Sequence, residues 1–279
     1  MVADNYKSTI MKKIFFVLLF IQPLFFSCKK ADELLYDSAD NICFNFLEKQ
    51  KDSIIYTFAY TPEKAFDTIF LPVRISGLQR PFDRKFVLTV MQDSSTAQEG
   101  LHYEALKDYY IMPADTGKTK VPLIIYNKDA ALIENSVSIR LLLQSSGDFG
   151  ANILTAIKGK VVFSATLERP DWWGSWPLGT YSRTKHQLFI IATGVTTLTT
   201  SGLDAPKNLY LVSLLTSLLN DPFTWVKRNS DKGYVIEALA GSNDYYFYST
   251  SNPAKKFLYR KDDAGAGYHF IDEKGLLIN

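Results

Sequence analysis

The stretch that decides the fold is Lys85-Phe86-Val87-Leu88-Thr89-Val90-Met91, whose residues fall into two alternating series. Phe86, Leu88 and Val90 form one series, and Val87, Thr89 and Met91 form the other. Successive side chains of a β-strand point to opposite faces of the sheet. The alternation therefore predicts a strand with one face turned towards a hydrophobic core.

Comparable runs recur on both sides of this stretch. They are Ser53–Tyr60, Thr68–Ser76, Asp108–Met112, Thr119–Tyr126, Ser136–Gln144 and Gly159–Leu167. Glycine, proline and Asn/Asp clusters separate them, so residues 41–168 are predicted to form an immunoglobulin-like β-sandwich. Pro72 and Pro122 lie inside two of the runs, and we expect those strands to be edge strands or to be bulged there.

The periodicity changes after Arg169-Pro170, so a smaller α+β domain is predicted for residues 171–279. Ser182 and Gly194 bound a helix over Arg183–Ala192, and Pro206 opens a second helix over Lys207–Leu219. A short helix is expected around Trp225. Four further strands are predicted at Gly233–Ala238, Tyr245–Ser249, Lys256–Arg260 and Gly267–Asp272. The chain as a whole is thus predicted to be mainly β, and 171–279 is either an independent domain or a lid on the sandwich.

The N-terminus carries a targeting pattern. Met11-Lys12-Lys13 precedes the apolar run Ile14–Phe26, which has signal-peptide length and is too short for a membrane span. Ser27-Cys28 at its end resembles a lipobox, in which the signal is removed and the cysteine is acylated. We predict a signal peptide over 1–27, with translation starting at Met11, and a lipid-anchored tether over 28–40. The alternative is an ordinary secretory signal beside an uninvolved cysteine.

Further along, Ser94-Ser95-Thr96-Ala97-Gln98-Glu99-Gly100-Leu101-His102-Tyr103 resembles a stretch of Calx-beta-like sandwiches. Together with the lipobox and with Asp171-Trp172-Trp173 and Gly179-Thr180-Tyr181-Ser182, the chain is similar to an uncharacterised family of Bacteroidota lipoproteins, a domain of unknown function. After Cys28, the stretch Lys29-Lys30-Ala31-Asp32-Glu33 resembles the signal that exports such lipoproteins to the cell surface, so we predict an outer-membrane, lipid-anchored protein at the cell surface. The family resemblance implies an association with Sus-like nutrient uptake. The implied partners are a TonB-dependent transporter and its substrate-binding lipoprotein, and no catalytic residues are implied.

Composition excludes some classes of partner. The formal net charge is +2 over 279 residues, which argues against nucleic acid and against a strongly anionic partner. Of the two cysteines, Cys28 is predicted to be acylated, which leaves Cys43 without a disulfide partner. Cys43 is interpreted as a small, half-buried strand residue, because a reactive thiol needs a basic neighbour that the sequence does not show.

Catalytic and metal-binding motifs are absent from the sequence. His102, His186 and His269 stand apart, and no paired-cysteine, H-E-x-x-H or G-x-S-x-G motif occurs. His102 and Tyr103 are expected to plug the end of the sandwich, and His269 to be structural. The loop acids Asp93, Glu99, Asp115 and Asp129 occur singly, whereas calcium needs six to eight oxygens. We therefore predict no metal, no cofactor and no enzyme activity.

Aromatic residues supply the candidate ligand-binding groups. The chain has 16 Tyr, 19 Phe and 4 Trp, and planar rings can stack on the apolar faces of sugars. The candidates are Trp172, Trp173 and Trp176, or Trp225 with Tyr245 and Tyr246. The alternative for the first group is that these tryptophans wedge the two domains together.

The predicted function is that of a non-enzymatic accessory or ligand-binding component of a nutrient uptake system, with a glycan as ligand. One alternative is a scaffolding lipoprotein that binds other proteins through its sandwich edges. A less favoured alternative is a hydrolase whose carboxylates pair in space. Its candidate carboxylates are Asp171, Asp244, Asp262, Asp263, Asp272 and Glu273.

Overall fold

The structure is a computed structural model that describes residues 39–262, 265 and 267–279. Ala39–Asn279 form one compact unit. The predicted signal peptide, the Met11 start, the Cys28 anchor and most of the tether lie outside the described residues. Within the described residues, no helix is long and apolar enough to cross a membrane.

The described chain is mainly β, with twelve strands and three α-helices in the described ranges. The strands are β1 (Asn41–Phe44), β2 (Ser53–Thr57), β3 (Phe66–Ser76), β4 (Arg84–Val90), β5 (Tyr110–Met112), β6 (Lys118–Tyr126), β7 (Val137–Gln144), β8 (Lys158–Ser164), β9 (Tyr234–Ala238), β10 (Tyr245–Ser249), β11 (Lys256–Lys261) and β12 (Tyr268–Phe270). The helices are α1 (Arg183–Thr193), α2 (Ala205–Asn220) and α3 (Pro222–Arg228). Every strand and helix expected for these residues is present, with ends shifted by a few residues.

The first eight strands form the predicted sandwich. One sheet has the order β1-β3-β6 and the other the order β2-β8-β7-β4-β5, and every pairing is antiparallel except β2 with β8. The inner faces of both sheets contribute to one hydrophobic core. Phe86 and Leu88 are buried in it while Val87 and Thr89 are half-buried, so the alternation in this stretch is confirmed.

The two strand prolines behave differently. Pro122 lies in β6, an edge strand, as predicted. The edge prediction for Pro72 is wrong, because β3 is the central strand of its sheet. The Pro72 carbonyl points towards β1, where it accepts a hydrogen bond from the amide of Asn45, the residue that follows the end of β1. The strand tolerates the proline for this reason. The missing N–H therefore falls where the neighbouring strand has already ended.

His102 and Tyr103 plug the sandwich as expected. Tyr103 is fully buried, and its hydroxyl accepts from Gln92 Nε2 at 3.1 Å. His102 Nδ1 accepts from the Gln98 amide at 2.9 Å, and its Nε2 lies 2.9 Å from Asp129 Oδ2. Cys43 is more enclosed than predicted, being fully buried, and burial raises the pKa of its thiol.

The C-terminal part is a four-stranded antiparallel sheet, β12-β11-β10-β9, packed against the three helices. The Ser182 side chain accepts from the Lys185 amide at the start of α1, and Gly194 ends that helix in the left-handed region at a φ of 71°. Both boundary predictions are confirmed. Helix α2 carries Pro206 in its first turn, where a missing N–H costs no hydrogen bond.

The sandwich and the C-terminal part share a junction. Ala59 and Leu167 of the sandwich belong to the hydrophobic core of the C-terminal part. The Leu167 carbonyl accepts from Tyr181 Oη at 2.9 Å and from Arg183 Nε at 3.3 Å. Asn252, in the loop before β11, is buried against sandwich loops. The C-terminal part is therefore built directly on the end of the sandwich.

Asn252→Ala tests how much this junction contributes. Asn252 Nδ2 lies 3.1–3.3 Å from the carbonyls of Pro62, Lys64 and Asn127, which lose this donor in the variant. We expect the free energy of unfolding to fall by about 1–3 kcal/mol, measured by urea denaturation. Asn243→Ala, at an exposed asparagine, is the matched control. Equal midpoints for the two variants would contradict the role given to Asn252.

Candidate functional site

The paired tryptophans are core residues. Trp172 and Trp173 are 7% and 1% exposed, with ring centroids 5.6 Å apart, and both belong to the C-terminal core together with Leu167. Trp173 Nε1 also donates to the Gly179 carbonyl at 3.1 Å. These two rings offer no open face to a sugar. Their packing fits the alternative in which they wedge the two parts of the chain together.

The remaining candidate rings lie at separate places in the structure. Trp225 is 6% exposed and packs on Tyr234 and Phe247, so it too lacks an open face. Trp176 is half-buried, and its Nε1 donates to the Thr199 carbonyl at 2.8 Å. Tyr245 packs edge-on against Phe223 of α3, on the helix side of the sheet. The structure does not bring these candidates together as one surface.

Tyr246 lies on the opposite side of the same sheet, among residues that we name the tyrosine face. This face is defined by Glu237, Tyr246, Tyr248, Lys256 and Arg260. Tyr246 pairs with Glu237 across β9, and Tyr248 pairs with Lys256 across β11. Because residues two apart on a strand share a face, both tyrosine rings stand on the side away from the helices.

Charged groups surround the two rings. Lys256 Nζ lies 5.1 Å from the Tyr246 ring centroid and 4.6 Å from that of Tyr248. Tyr248 Oη donates to Glu237 Oε2 at 2.7 Å, and this hydrogen bond raises the pKa of the tyrosine. The side chains of Glu237 and Lys256 are 60% and 35% exposed, so both can meet a ligand. The face thus combines apolar rings with accessible donors and acceptors.

A cleft of about 320 Å³ continues from Lys256 towards the sandwich. Ala130, Ala131, Ile133 and Glu134 of the sandwich form one wall, and α1, β11 and the segment after β12 form the rest. Lys255 belongs to this lining, and burial lowers the pKa of its amino group to about 8. Gln187 also lines the cleft, and its buried Oε1 has no hydrogen-bond partner among the described residues.

The carboxylates beside the cleft are engaged with the backbone. Glu273 accepts from the Arg183 and Thr184 amides at the start of α1, at 2.9 and 3.0 Å. Burial alone would raise its pKa, but these hydrogen bonds outweigh burial and leave the pKa lowered. Asp272 accepts from the Lys274 and Leu276 amides. A general acid of a glycosidase needs a raised pKa, which Glu273 does not have.

Asp244 and Asp171 are two further carboxylate candidates whose places the structure describes. Asp244 binds Arg260 Nε at 3.2 Å, Asp171 begins a short 3₁₀ helix, and Asp263 lies outside the described residues. Within the described ranges, no three His, Cys, Asp or Glu side chains are grouped as metal ligands. Of the loop acids considered for calcium, Asp129 is held by His102 and by the Ala131 amide.

A second concavity, of about 540 Å³, opens at the sandwich edge between β5 and β6. Its lining includes Lys107, Tyr109, Tyr110 and Lys120. Lys85 Nζ lies over the Tyr109 ring at 4.3 Å, and the Tyr110 hydroxyl accepts from the Lys107 amide. The Tyr110 ring packs on the buried Phe86, with ring centroids 5.9 Å apart, so this concavity lacks the two outward rings of the tyrosine face.

Comparison with known proteins identifies the family. The family described as Domain of unknown function (DUF4843) matches residues 36–195, more than half of the chain. The chain belongs to this family. None of the curated proteins compared with it matches. The predicted membership in a domain of unknown function is confirmed.

Solved structures similar to this DUF4843 chain overlap with it in part. A protein of unknown function from Bacteroides ovatus is 14% identical, with a TM-score of 0.34 over 44% of this chain and 43% of that one. The apo-form Calx CBD1 domain is 10% identical, with a TM-score of 0.33 over 47% of this chain and all of that domain. A Bacteroides ovatus protein described as a "putative carbohydrate binding protein" is 11% identical, with a TM-score of 0.35 over 46% and 38%. The chain spans less than half of the two Bacteroides proteins.

Four members of the tyrosine face, namely Glu237, Tyr248, Lys256 and Arg260, were not predicted from the sequence. The signal was present in Tyr245–Ser249, because alternation within this strand separates Tyr246 and Tyr248 from Tyr245 and Phe247. Cross-strand neighbours need the register between strands, which the sequence of one strand does not supply.

His186 offers a test of the core beside the junction. It is buried against the rings of Trp172, Trp173 and Tyr181, and within the described ranges neither ring nitrogen has a hydrogen-bond partner. Burial lowers its pKa from 6.5 to about 4. Between these values the unfolded chain binds a proton that the native protein does not. The free energy of unfolding should therefore fall by up to about 3 kcal/mol as the pH drops through this window.

His186→Phe removes the titrating group and should make stability less dependent on pH in that window, measured by urea denaturation at about pH 7 and about pH 4.5. His269→Gln, at a half-buried histidine in β12, is the control and should keep the wild-type dependence. Equal pH dependence of His186→Phe and wild type would contradict the assignment.

Proposed function

We propose that this protein is a non-enzymatic, lipid-anchored, ligand-binding component of a nutrient uptake system at the bacterial cell surface. Its proposed ligand is a glycan, bound on the tyrosine face. The observation that carries the proposal is the pair of half-buried rings, Tyr246 and Tyr248, on one side of a sheet with Lys256 between them and Glu237 beside them.

The chemistry of this face suits a saccharide. A sugar ring has an apolar C–H side that packs on an aromatic plane, and a rim of hydroxyls that need donors and acceptors. The two tyrosines supply planes, while Glu237, Lys256 and Arg260 supply accepting and donating groups around them. The cleft beside Lys256 gives room for the ligand to extend towards Glu134 of the sandwich.

The anchor and the partners are proposed from the sequence. Cys28 follows the apolar run Ile14–Phe26 and the small residue Ser27, which supports acylation at Cys28 in the outer membrane. The resemblance to lipoproteins of Sus-like systems supports a TonB-dependent transporter and its substrate-binding lipoprotein as partners. A non-enzymatic role is supported by the engagement of Asp272 and Glu273 with backbone amides.

Glycan retention tests the ligand proposal. Binding of the purified chain to a panel of soluble polysaccharides is measured by affinity electrophoresis. Tyr246→Ala and Tyr248→Ala should each weaken binding of the retained glycan by about tenfold, equivalent to about 1.4 kcal/mol, because each removes an apolar plane. Tyr210→Ala, at an exposed tyrosine of α2, should bind as the wild type does.

A fourth variant locates the site. If Tyr109→Ala abolished retention and Tyr246→Ala did not, the site would lie at the sandwich edge and the assignment to the tyrosine face would be wrong. If no glycan were retained by the wild type, or if all variants bound equally, glycan capture through these rings would be contradicted.

Lipidation has its own test. Cys28→Ala should move the protein from the membrane fraction to the soluble fraction and remove the acyl mass from its N-terminal peptide. Cys43→Ala, which changes the buried cysteine of β1, should leave both results unchanged. A Cys28→Ala protein that stayed in membranes with its acyl mass would contradict anchoring at Cys28.

A further inference from the structure

The outer face of strands β3 and β6 carries two kinds of side chain. The registers Phe66↔Tyr126, Thr68↔Ile124, Phe70↔Pro122, Pro72↔Lys120 and Arg74↔Lys118 place these residues on one side. Their in-between neighbours, such as Leu71 and Leu123, are buried in the sandwich core. We name this surface the first-sheet face.

One end of the first-sheet face is apolar. Phe66 and Phe70 are 60% and 57% exposed, and Pro122, which pairs with Phe70, is exposed beside them. Two exposed phenylalanines on one strand are unusual for a surface that meets only water, because each leaves a large apolar area unburied.

The other end is basic. Lys118 and Lys120 are exposed, Arg74 is half-buried beside them, and Lys128 at the apolar end lies 3.7 Å from the Tyr126 ring centroid. The outward positions of β3 and β6 include no Asp or Glu. One carboxylate residue, Glu104, pairs with the β6 edge through its amide and the Ile124 carbonyl. The face is therefore net positive.

The predicted anchor leads to this same sheet. Cys28 lies thirteen residues before Asn41, the first residue of β1. An extended chain spans about 3.3–3.6 Å per residue, so the sheet is held within about 45 Å of the anchored lipid. Aromatic side chains at the headgroup level, next to basic side chains that meet lipid phosphates, are the pattern of a surface resting on a membrane.

We infer that the first-sheet face binds the anionic lipid surface that holds the Cys28 anchor. This inference rests on the anchor in the proposed function, but not on the glycan. Lys118, Lys120 and Arg74 meet lipid phosphates, and Phe66 and Phe70 enter the interface. The face thereby fixes the orientation of the protein on its membrane, which a flexible tether alone does not do.

The test uses residues 39–279, which form one compact unit and lack both the apolar leader and Cys28. Co-sedimentation is measured with vesicles of phosphatidylcholine alone and of phosphatidylcholine with about 30% phosphatidylglycerol, whose anionic headgroups attract basic side chains. Binding is expected only to the anionic vesicles and should weaken with added salt. Lys118→Gln with Lys120→Gln should lower the partition coefficient by on the order of tenfold. Phe66→Ser with Phe70→Ser should lower it by a similar factor.

Matched controls lie on the other sheet. Ile55→Ser in β2, at a residue 82% exposed, and Lys158→Gln in β8, at an exposed lysine, should bind as the wild type does. Thermal melts confirm that all variants are folded. Equal sedimentation with both vesicle types, or equal loss in the control variants, would overturn the inference. Self-association of 39–279 that Phe66→Ser and Phe70→Ser abolish would overturn it in favour of a second copy on this face.

The result of the vesicle test can be told apart from the results of the glycan and lipidation tests. Absence of vesicle binding with intact glycan retention overturns only this inference. Vesicle binding together with a Cys28→Ala protein that keeps its acyl mass overturns the anchor and leaves the first-sheet face as a lipid-binding surface.

Discussion

Burial of Leu167, Trp172 and Trp173 beside helix α1 is the interaction on which the rest of the C-terminal part depends. The C-terminal sheet has four strands of three to six residues, and its core is completed by Ala59 and Leu167 from the sandwich. Small units bury a low fraction of their surface when they fold. Attachment to the sandwich adds Ala59 and Leu167 to the apolar core that the short sheet, the three helices and their connecting segments form among themselves.

The same junction sets the geometry of the candidate site. Glu273 fixes the start of α1, and Gln187 on that helix donates to the Ala165 carbonyl at 3.3 Å, so the helix is tied both to the sandwich and to the segment after β12. This arrangement places the Ala130–Ile133 turn opposite β11 and creates the cleft next to Lys256. The cleft beside the tyrosine face is therefore a consequence of how the two parts join.

Local signals in the sequence sufficed for most of the fold. Alternation located the strands, and Ser182, Gly194 and Pro206 located the helix ends, because these depend on neighbours within a few residues. The candidate site was harder to predict from the sequence. Aromatic density drew attention to Trp172 and Trp173, but whether a ring is exposed depends on what packs against it from distant parts of the chain. The edge-strand prediction for Pro72 was wrong for the same reason, since the place of Pro72 in the sheet depends on where β1 ends.

The central claim is that the sandwich and the C-terminal part are one cooperative structure. The four tryptophans all lie between residues 172 and 225, so their fluorescence reports on the C-terminal part and its junction with the sandwich, while far-ultraviolet circular dichroism reports on all the strands and helices. Urea denaturation of the chain followed by both signals measures the claim directly. Coincident midpoints are predicted. A fluorescence transition completed at lower urea, with most of the dichroism retained, would contradict the account.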